Sequence, residues 1–191
     1  MRVIAGTHKG RILRAPKGLV TRPTADRVRE ALFSRLVSLG AIEGAAVLDA
    51  FAGAGTLGIE AISRGAVRAT FVENEKAALH ALRGNRDSLK IVDSANVVAA
   101  DMFALAGRGH LSGAPFALLF LDPPYRIDKS EVRGLIESLA RSGALMAGAI
   151  VVWEHSADRP ALWPEMVSEL SSKRYGDTAV SLGIYNNEEG A

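Results

Sequence analysis

From residue 46 to residue 154, short apolar runs alternate with longer stretches in which apolar residues return every three or four positions. The runs at 46–50, 69–73, 96–100, 116–122 and 149–154 predict strands. Helices are predicted between them at 56–64, 75–90, in a short piece after Asp101, and at 129–141. Phe116-Ala117-Leu118-Leu119-Phe120-Leu121 is apolar without interruption, as suits a strand of a parallel sheet covered on both faces. The pattern changes at the end. Residues 168–175 and 178–185 flank Gly176-Asp177 and predict an antiparallel hairpin, with a frayed tail at 186–191.

The start of the chain is patterned differently. Short strand candidates at 2–5 and 11–14 enclose Gly6-Thr7-His8-Lys9-Gly10 and predict a small hairpin. After Pro16-Lys17-Gly18, Thr24 offers a cap and Asp26 a first-turn acid for a helix. Its apolar stripe is Val28, Leu32, Leu36 and Leu39, and Gly40 ends it. No internal repeat or low-complexity linker divides the chain. The reading is an α/β body at 41–191 with a basic hairpin-and-helix extension at 1–40.

Two motifs stand at predicted strand ends. Gly53-Ala54-Gly55-Thr56-Leu57-Gly58 follows the first strand, and Glu73 ends the second. By spacing this is a dinucleotide fingerprint: glycines let backbone approach a ligand, and the acid accepts from ribose hydroxyls. Asp49, at the tip of the first strand, separates two cofactor classes. Beside a pyrophosphate its charge is repulsive, which argues against a nicotinamide dinucleotide. Beside the ammonium and sulfonium of S-adenosylmethionine it is attractive. Phe51 and Ala52, with Gly53 and Gly55, would line that site, Phe51 at the methionine end. Asp101 would accept from the adenine amino group and Met102 would lie on the ring. Gly58 reads as a close helix–strand contact.

The second motif is Asp122-Pro123-Pro124-Tyr125. The amino nitrogen of guanine or adenine is a poor nucleophile because its lone pair is delocalised into the ring. The Asp122 carboxylate and the Pro123 carbonyl can accept its N–H bonds and favour the pyramidal form. Pro123 and Pro124 stiffen the loop and leave no competing N–H. Tyr125 offers a stacking face for a base taken out of its own stack. A carboxyl-end turn of this kind is where an open α/β sheet holds its ligands. The two motifs together point to methyl transfer onto an exocyclic nitrogen.

Composition narrows the partners. The chain of 191 residues is 48% apolar, enough for one ordinary core, and has no Cys, which removes disulfides and thiolate chemistry. Its four His are scattered without ligand spacing, so no metal is expected. No stretch is apolar enough to span a bilayer and the start lacks a signal-peptide layout, so a cytoplasmic protein is expected. Net charge is only +2, but residues 1–35 hold nine Lys/Arg against two acids, leaving the rest at −5. Such a basic arm on an acidic body suits a polyanion. Arg2, Lys9, Arg11, Arg22, Arg27 and Arg29 are the candidate nucleic-acid contacts.

Three stretches resemble one family over nearly the whole length: Arg2-Val3-Ile4-Ala5-Gly6 with Gly10-Arg11, the block from Arg22-Pro23-Thr24 to Phe33, and Leu48 to Ala61. The chain is similar to the bacterial RsmD family of small-subunit ribosomal RNA guanine-N2 methyltransferases. The resemblance implies a Rossmann-like class I fold, with a seven-stranded, mostly parallel sheet and a C-terminal antiparallel hairpin. It implies S-adenosylmethionine as donor and guanine 966 of 16S rRNA as the target type, in the small subunit or an assembly intermediate. It places Asp49, Gly53, Gly55, Glu73, Asp101 and Met102 at the cofactor and Asp122 to Tyr125 at the guanine. A monomer is expected. A DNA amino-methyltransferase would share both motifs, but usually carries a target-reading domain for which this chain has no room. A non-catalytic RNA-binding module would need neither Asp49 nor Asp122.

Overall fold

The computed structural model describes residues 1–16, 23–109, 111–124 and 126–187, the side chains of 23–25 excepted. In chain order the elements are α1 (Pro23–Ser38), β1 (Ala46–Asp49), α2 (Thr56–Ser63), β2 (Arg68–Glu73), α3 (Lys76–Leu89) and β3 (Ala95–Ala99). They continue with α4 (Met102–Ala106), β4 (Phe116–Leu121), α5 (Lys129–Arg141), β5 (Leu145–Ser156), β6 (Val167–Tyr175) and β7 (Thr178–Tyr185). The seven strands form one sheet in the order β3-β2-β1-β4-β5-β7-β6. The first five are parallel, and β7 and β6 pair antiparallel at the far side. This is the Rossmann-like methyltransferase sheet, with strand order reversing at β1 and β4, where ligands of such sheets sit.

Alternation along the buried strands divides the core in two. Val47, Phe71, Leu118, Phe120 and Val152 pack with Phe33 and Leu36 of α1, Ile59 of α2 and Leu82 of α3. Leu48, Val72, Leu119, Leu121, Val151 and Trp153 face α4 and α5 on the other side. Helix ends follow local chemistry. Asp101 caps α4 by accepting from Ala104 N–H at 2.9 Å, and Asp128 caps α5 in a reciprocal box with Glu131. Among the described residues no helix is long and apolar enough to cross a membrane.

Two expectations change. The helix predicted from Thr24 begins at Pro23, so Thr24 lies within its first turn and is not the cap; proline costs nothing at a first helical position. β5 begins at Leu145, four residues before the predicted start. Met146, Ala147 and Gly148 are all exposed and carry no alternation, and the register with β4 shifts between Phe116 and Leu118. The predicted N-terminal hairpin is present in short form: Arg2 bridges Ile12, Val3 N–H donates to the Arg11 carbonyl at 3.0 Å, Gly10 N–H to that of Val3 at 2.9 Å, and Leu13 N–H to that of Met1 at 3.0 Å. Other backbone groups of the arm go to side chains of α2 and α3. Glu60 accepts from the N–H groups of Ile4 and Ala5 at 2.7 and 3.0 Å, and Ser63 Oγ accepts from His8 N–H at 3.0 Å. Val3 and Leu13 join the same core as Leu32 and Phe33.

Candidate functional site

The carboxyl ends of β1, β2, β4 and β5 bring four acids together. Pleating puts Asp49, Glu73 and Glu154 on the side of the sheet occupied by α1, α2 and α3, as are Val47, Phe71 and Val152 two residues before them. Asp122 follows the last residue of β4, and because Leu121 is paired with Trp153, it lies level with Glu154. No cation accompanies this cluster among the described ion pairs.

Electrostatics record the crowding. Asp49 is 2% exposed, and burial pushes its carboxyl up to about 7. A hydrogen bond from Gly58 N–H at 3.0 Å opposes that shift, while the neighbouring charges of Asp122 and Glu73 add to it. Burial likewise raises Glu154 to about 7, with a further push from Asp122. Asp122 keeps contact with water, yet the protein packed about its carboxyl raises it to about 6. A pocket that makes three carboxylates costly to ionise is electrostatically incomplete, and a cationic ligand completes it.

The turn after β1 is shaped for close approach. Gly53 has φ +55°, and a Cβ built on it would meet nothing within 4 Å, so its outer side is open space. Gly58 is the opposite case: a Cβ there would lie 2.3 Å from Phe71 Cε1, in keeping with the close contact read from the sequence. Glu73 clamps this region with both oxygens. Oε2 accepts from Gly53 N–H at 2.8 Å, and Oε1 accepts from the N–H groups of Asn74 and Glu75, each at 2.8 Å. An ionised carboxylate has further acceptor capacity, so ribose hydroxyls can be held as well.

Other candidates fall into place unevenly. Ala52 is buried beneath the turn, its N–H on the carbonyl of Val72. Phe51 is half-buried, its ring centroid 5.9 Å from that of Phe103 on α4. Asp101 is exposed at the β3 end and reached by Asn74 Nδ2 at 3.4 Å. Met102 is a correction: at 2% exposed it belongs to the core under α4 and has no face to lay on an adenine. The ring beside it that is only half-buried is Phe103, which adjoins Asp101-Met102 and is no candidate by sequence alone. Glu154 was also passed over, and its signal was the same as for the other acids, a charge at a strand tip. Pro123 is half-buried and Pro124 exposed, with the Pro124 carbonyl accepting from Ile127 N–H at 2.9 Å. Tyr125 lies outside the described residues.

Of the basic candidates, Arg2, Lys9, Arg11 and Arg27 are exposed, and Arg22 lies outside the described residues. Arg29 is the second correction. It is buried at 7% exposure, donating to the Arg2 carbonyl at 2.5 Å and to Asp26 at 3.1 Å. Its apolar neighbours on α1 turn it inward, where it fastens the arm to the helix and cannot meet a phosphate. Glu60, 1% exposed, takes Arg64 at 2.7 Å and completes this buried network.

Comparison with known proteins agrees with the geometry. The family model described as "Conserved hypothetical protein 95" matches residues 1–184. The Ribosomal RNA small subunit methyltransferase D of Haemophilus influenzae is 35% identical over 188 residues, covering 98% of this chain and 94% of its own. That of Escherichia coli is 37% identical over 172 residues, covering 85% and 81%. Among solved structures, the yhhF protein of Escherichia coli superposes with a TM-score of 0.83 at 32% identity over 97% of this chain and 98% of its own. An RNA methyltransferase from Salinibacter ruber, solved with S-adenosyl-L-homocysteine, shares the fold at TM-score 0.60 and 18% identity over 88% and 95%. A match over nearly the whole length, on a sheet whose acids stand where the motifs put them, means that this chain belongs to the Conserved hypothetical protein 95 family, the RsmD family.

Proposed function

We propose that the protein transfers a methyl group from S-adenosylmethionine to the exocyclic N2 of a guanine in small-subunit (16S) ribosomal RNA, of the guanine-966 type. The observation that carries this reading is the uncompensated acidic floor of Asp49, Glu73, Asp122 and Glu154 beside an open glycine turn. It suits a ligand that is cationic, carries ribose hydroxyls and has no phosphate. Kinship with proteins named for small-subunit ribosomal RNA methylation supplies the substrate class.

S-adenosylmethionine, when bound, supplies an electrophilic methyl on a sulfonium. The chain's own residues do the rest. Asp49 and its neighbours favour positive charge, Glu73 orients the ribose, and Phe51 with Phe103 walls the entrance. Asp122 accepts one amino N–H of the guanine and the Pro123 carbonyl the other. This fixes the nitrogen in line and leaves a carboxylate in reach of the proton that N2 sheds once the N–CH3 bond forms. Catalysis by this arrangement is positioning and preorganised charge. Exposed Arg2, Lys9, Arg11 and Arg27 would steady the RNA through its phosphates.

The test is transfer of tritiated methyl onto undermethylated small subunits, with naked ribosomal RNA and DNA as comparators, followed by nucleoside analysis. N2-methylguanosine from the particle or its RNA is expected. Labelled DNA, or a different methylated nucleoside, would overturn the assignment.

A further inference from the structure

Asn85 on α3 is 0% exposed, and both N–H groups and the carbonyl of its amide are engaged by backbone from two distant segments. Its Oδ1 accepts from Arg14 N–H at 2.7 Å, and its Nδ2 donates to the Arg14 carbonyl at 3.0 Å. The same Nδ2 donates to the Ala54 carbonyl at 2.9 Å. Arg14 belongs to the N-terminal arm; Ala54 lies between Gly53 and Gly55 in the turn that faces the cofactor site. Gly53 N–H is in turn held by Glu73, so an unbroken chain of contacts runs from the arm to the ribose-binding carboxylate.

The arm touches α3 a second time, where Arg11 Nη2 donates to the Ser88 carbonyl at 2.9 Å, and it is pinned to α2 by Glu60 and Ser63. Among these described fastenings only Asn85 also holds the glycine turn. Lifting the arm would break two of the amide's hydrogen bonds, and moving Ala54 would break a third. Buried amide groups strongly resist such losses. The two segments therefore share one amide and cannot shift independently.

We propose that Asn85 is a positioning residue that couples the seat of the arm on α3 to the shape of the glycine turn. Filling the cofactor site tightens Arg14 on Asn85, and freeing Arg14 from Asn85 weakens the site; as a coupling between equilibria it is reciprocal. This rests on the reading above that the turn holds S-adenosylmethionine. Because the arm carries exposed Arg2, Lys9 and Arg11, RNA gripping it would be felt at the cofactor.

The experiment measures hydrogen exchange at the Arg14 amide of the full chain by NMR, with and without S-adenosylhomocysteine, together with steady-state kinetics. In the parent protein bound S-adenosylhomocysteine should slow that amide about tenfold. In Asn85→Ala the slowing should vanish and KM for S-adenosylmethionine should rise about tenfold, with kcat at saturating cofactor within about threefold. Asn85→Asp keeps the shape and the acceptor but offers no N–H, and should behave alike. Ser63→Ala frees only the His8 and Ala5 end of the arm, leaves Arg14 seated on Asn85, and should leave KM unchanged. The coupling is wrong if the parent's Arg14 amide ignores bound S-adenosylhomocysteine, or if Ser63→Ala raises KM as much as the Asn85 variants. If neither Asn85 variant folds, the parent exchange and the Ser63→Ala KM decide. Failure of the parent to bind S-adenosylhomocysteine at all would strike down the cofactor reading itself, and the coupling with it.

Discussion

The Asp49 carboxylate accepts the Gly58 N–H at 3.0 Å, closing the end of β1 onto the first turn of α2. That bond and the helix terminus favour the ionised form, yet burial outweighs them and holds the group at about 7. The site is thus built at the expense of the ligand-free fold, and consequences for stability, binding and turnover follow.

Near pH 4 Asp49 keeps its proton in the folded chain while the unfolded chain is losing its own. Stability from this group therefore falls as pH rises from the ordinary value of 3.8 through about 7, by at most about 4 kcal/mol at ~1.4 kcal/mol per pH unit. Raised Asp122 and Glu154 act with the same sign. Asp49→Asn should raise the melting temperature of the ligand-free protein at pH 8 by several degrees and change it little at pH 4. Thermal melts at the two pH values check this. A variant no more stable than the parent at pH 8 would show that Asp49 carries no such penalty.

A cation in the site favours the ionised carboxylates, so S-adenosylmethionine should bind with release of protons and gain affinity as pH rises from 6 to 8. S-adenosylhomocysteine, whose sulfur is neutral, should show a shallower rise. Calorimetry in buffers of different ionisation enthalpy separates the two. Equal slopes for both ligands would place the sulfonium outside the acidic floor.

Asp122→Ala should abolish turnover, by at least about 10³-fold, while cofactor affinity stays within about threefold, because this carboxylate acts mainly on the nitrogen in the transition state. Loss of one negative charge should also lower the pKa of Glu154, which Asp122 now raises. Single-turnover methylation of small subunits is the measurement, and near-normal rates would remove Asp122 from the chemistry.

Arg27 and Arg29 adjoin in sequence but should separate by experiment. Arg29→Ala leaves Asp26 and the Arg2 carbonyl without their partner inside the fold and should cost about 2–3 kcal/mol of stability. Arg27→Ala, on an exposed position, should change stability by less than about 0.5 kcal/mol but weaken RNA binding and flatten its salt dependence. Denaturant titration and filter binding at several salt concentrations report the two quantities.

The glycines of the turn differ in the same way. Gly58→Ala forces a methyl into the Phe71 ring and should destabilise by about 1–3 kcal/mol. Gly53→Ala meets open space and should cost about 1 kcal/mol for its left-handed backbone, with a larger loss of cofactor affinity. Melting curves with and without S-adenosylmethionine distinguish a packing role from a ligand-facing one.

Much of this arrangement was local enough to be read directly from residue order. The apolar runs end where strands end, because a buried strand tolerates no charge until it leaves the sheet. Asp49, Glu73 and Asp122 are therefore visible as acids at strand tips, and Gly53 and Gly58 as glycines at fixed offsets from the first tip. The helices at 129–141 and 75–90 follow from 3.6-residue spacing, with capping boundaries one residue apart from those expected for α3.

Tertiary structure alone decided the rest, since those properties belong to pairs of residues far apart in the chain. Glu154 becomes part of the site only through the register of β4 with β5. Arg29 looks like any basic residue of the arm until the packing of Val28, Leu32 and Phe33 against the sheet turns it inward. Met102 is core and Phe103 only half-buried because α4 lies against α5, a contact that the five residues of α4 do not encode. The N-terminal hairpin is seated by Glu60 and Ser63, more than fifty positions on, which take the N–H groups of Ile4, Ala5 and His8. Periodicity records which face of an element is buried; it does not record which distant side chain waits there.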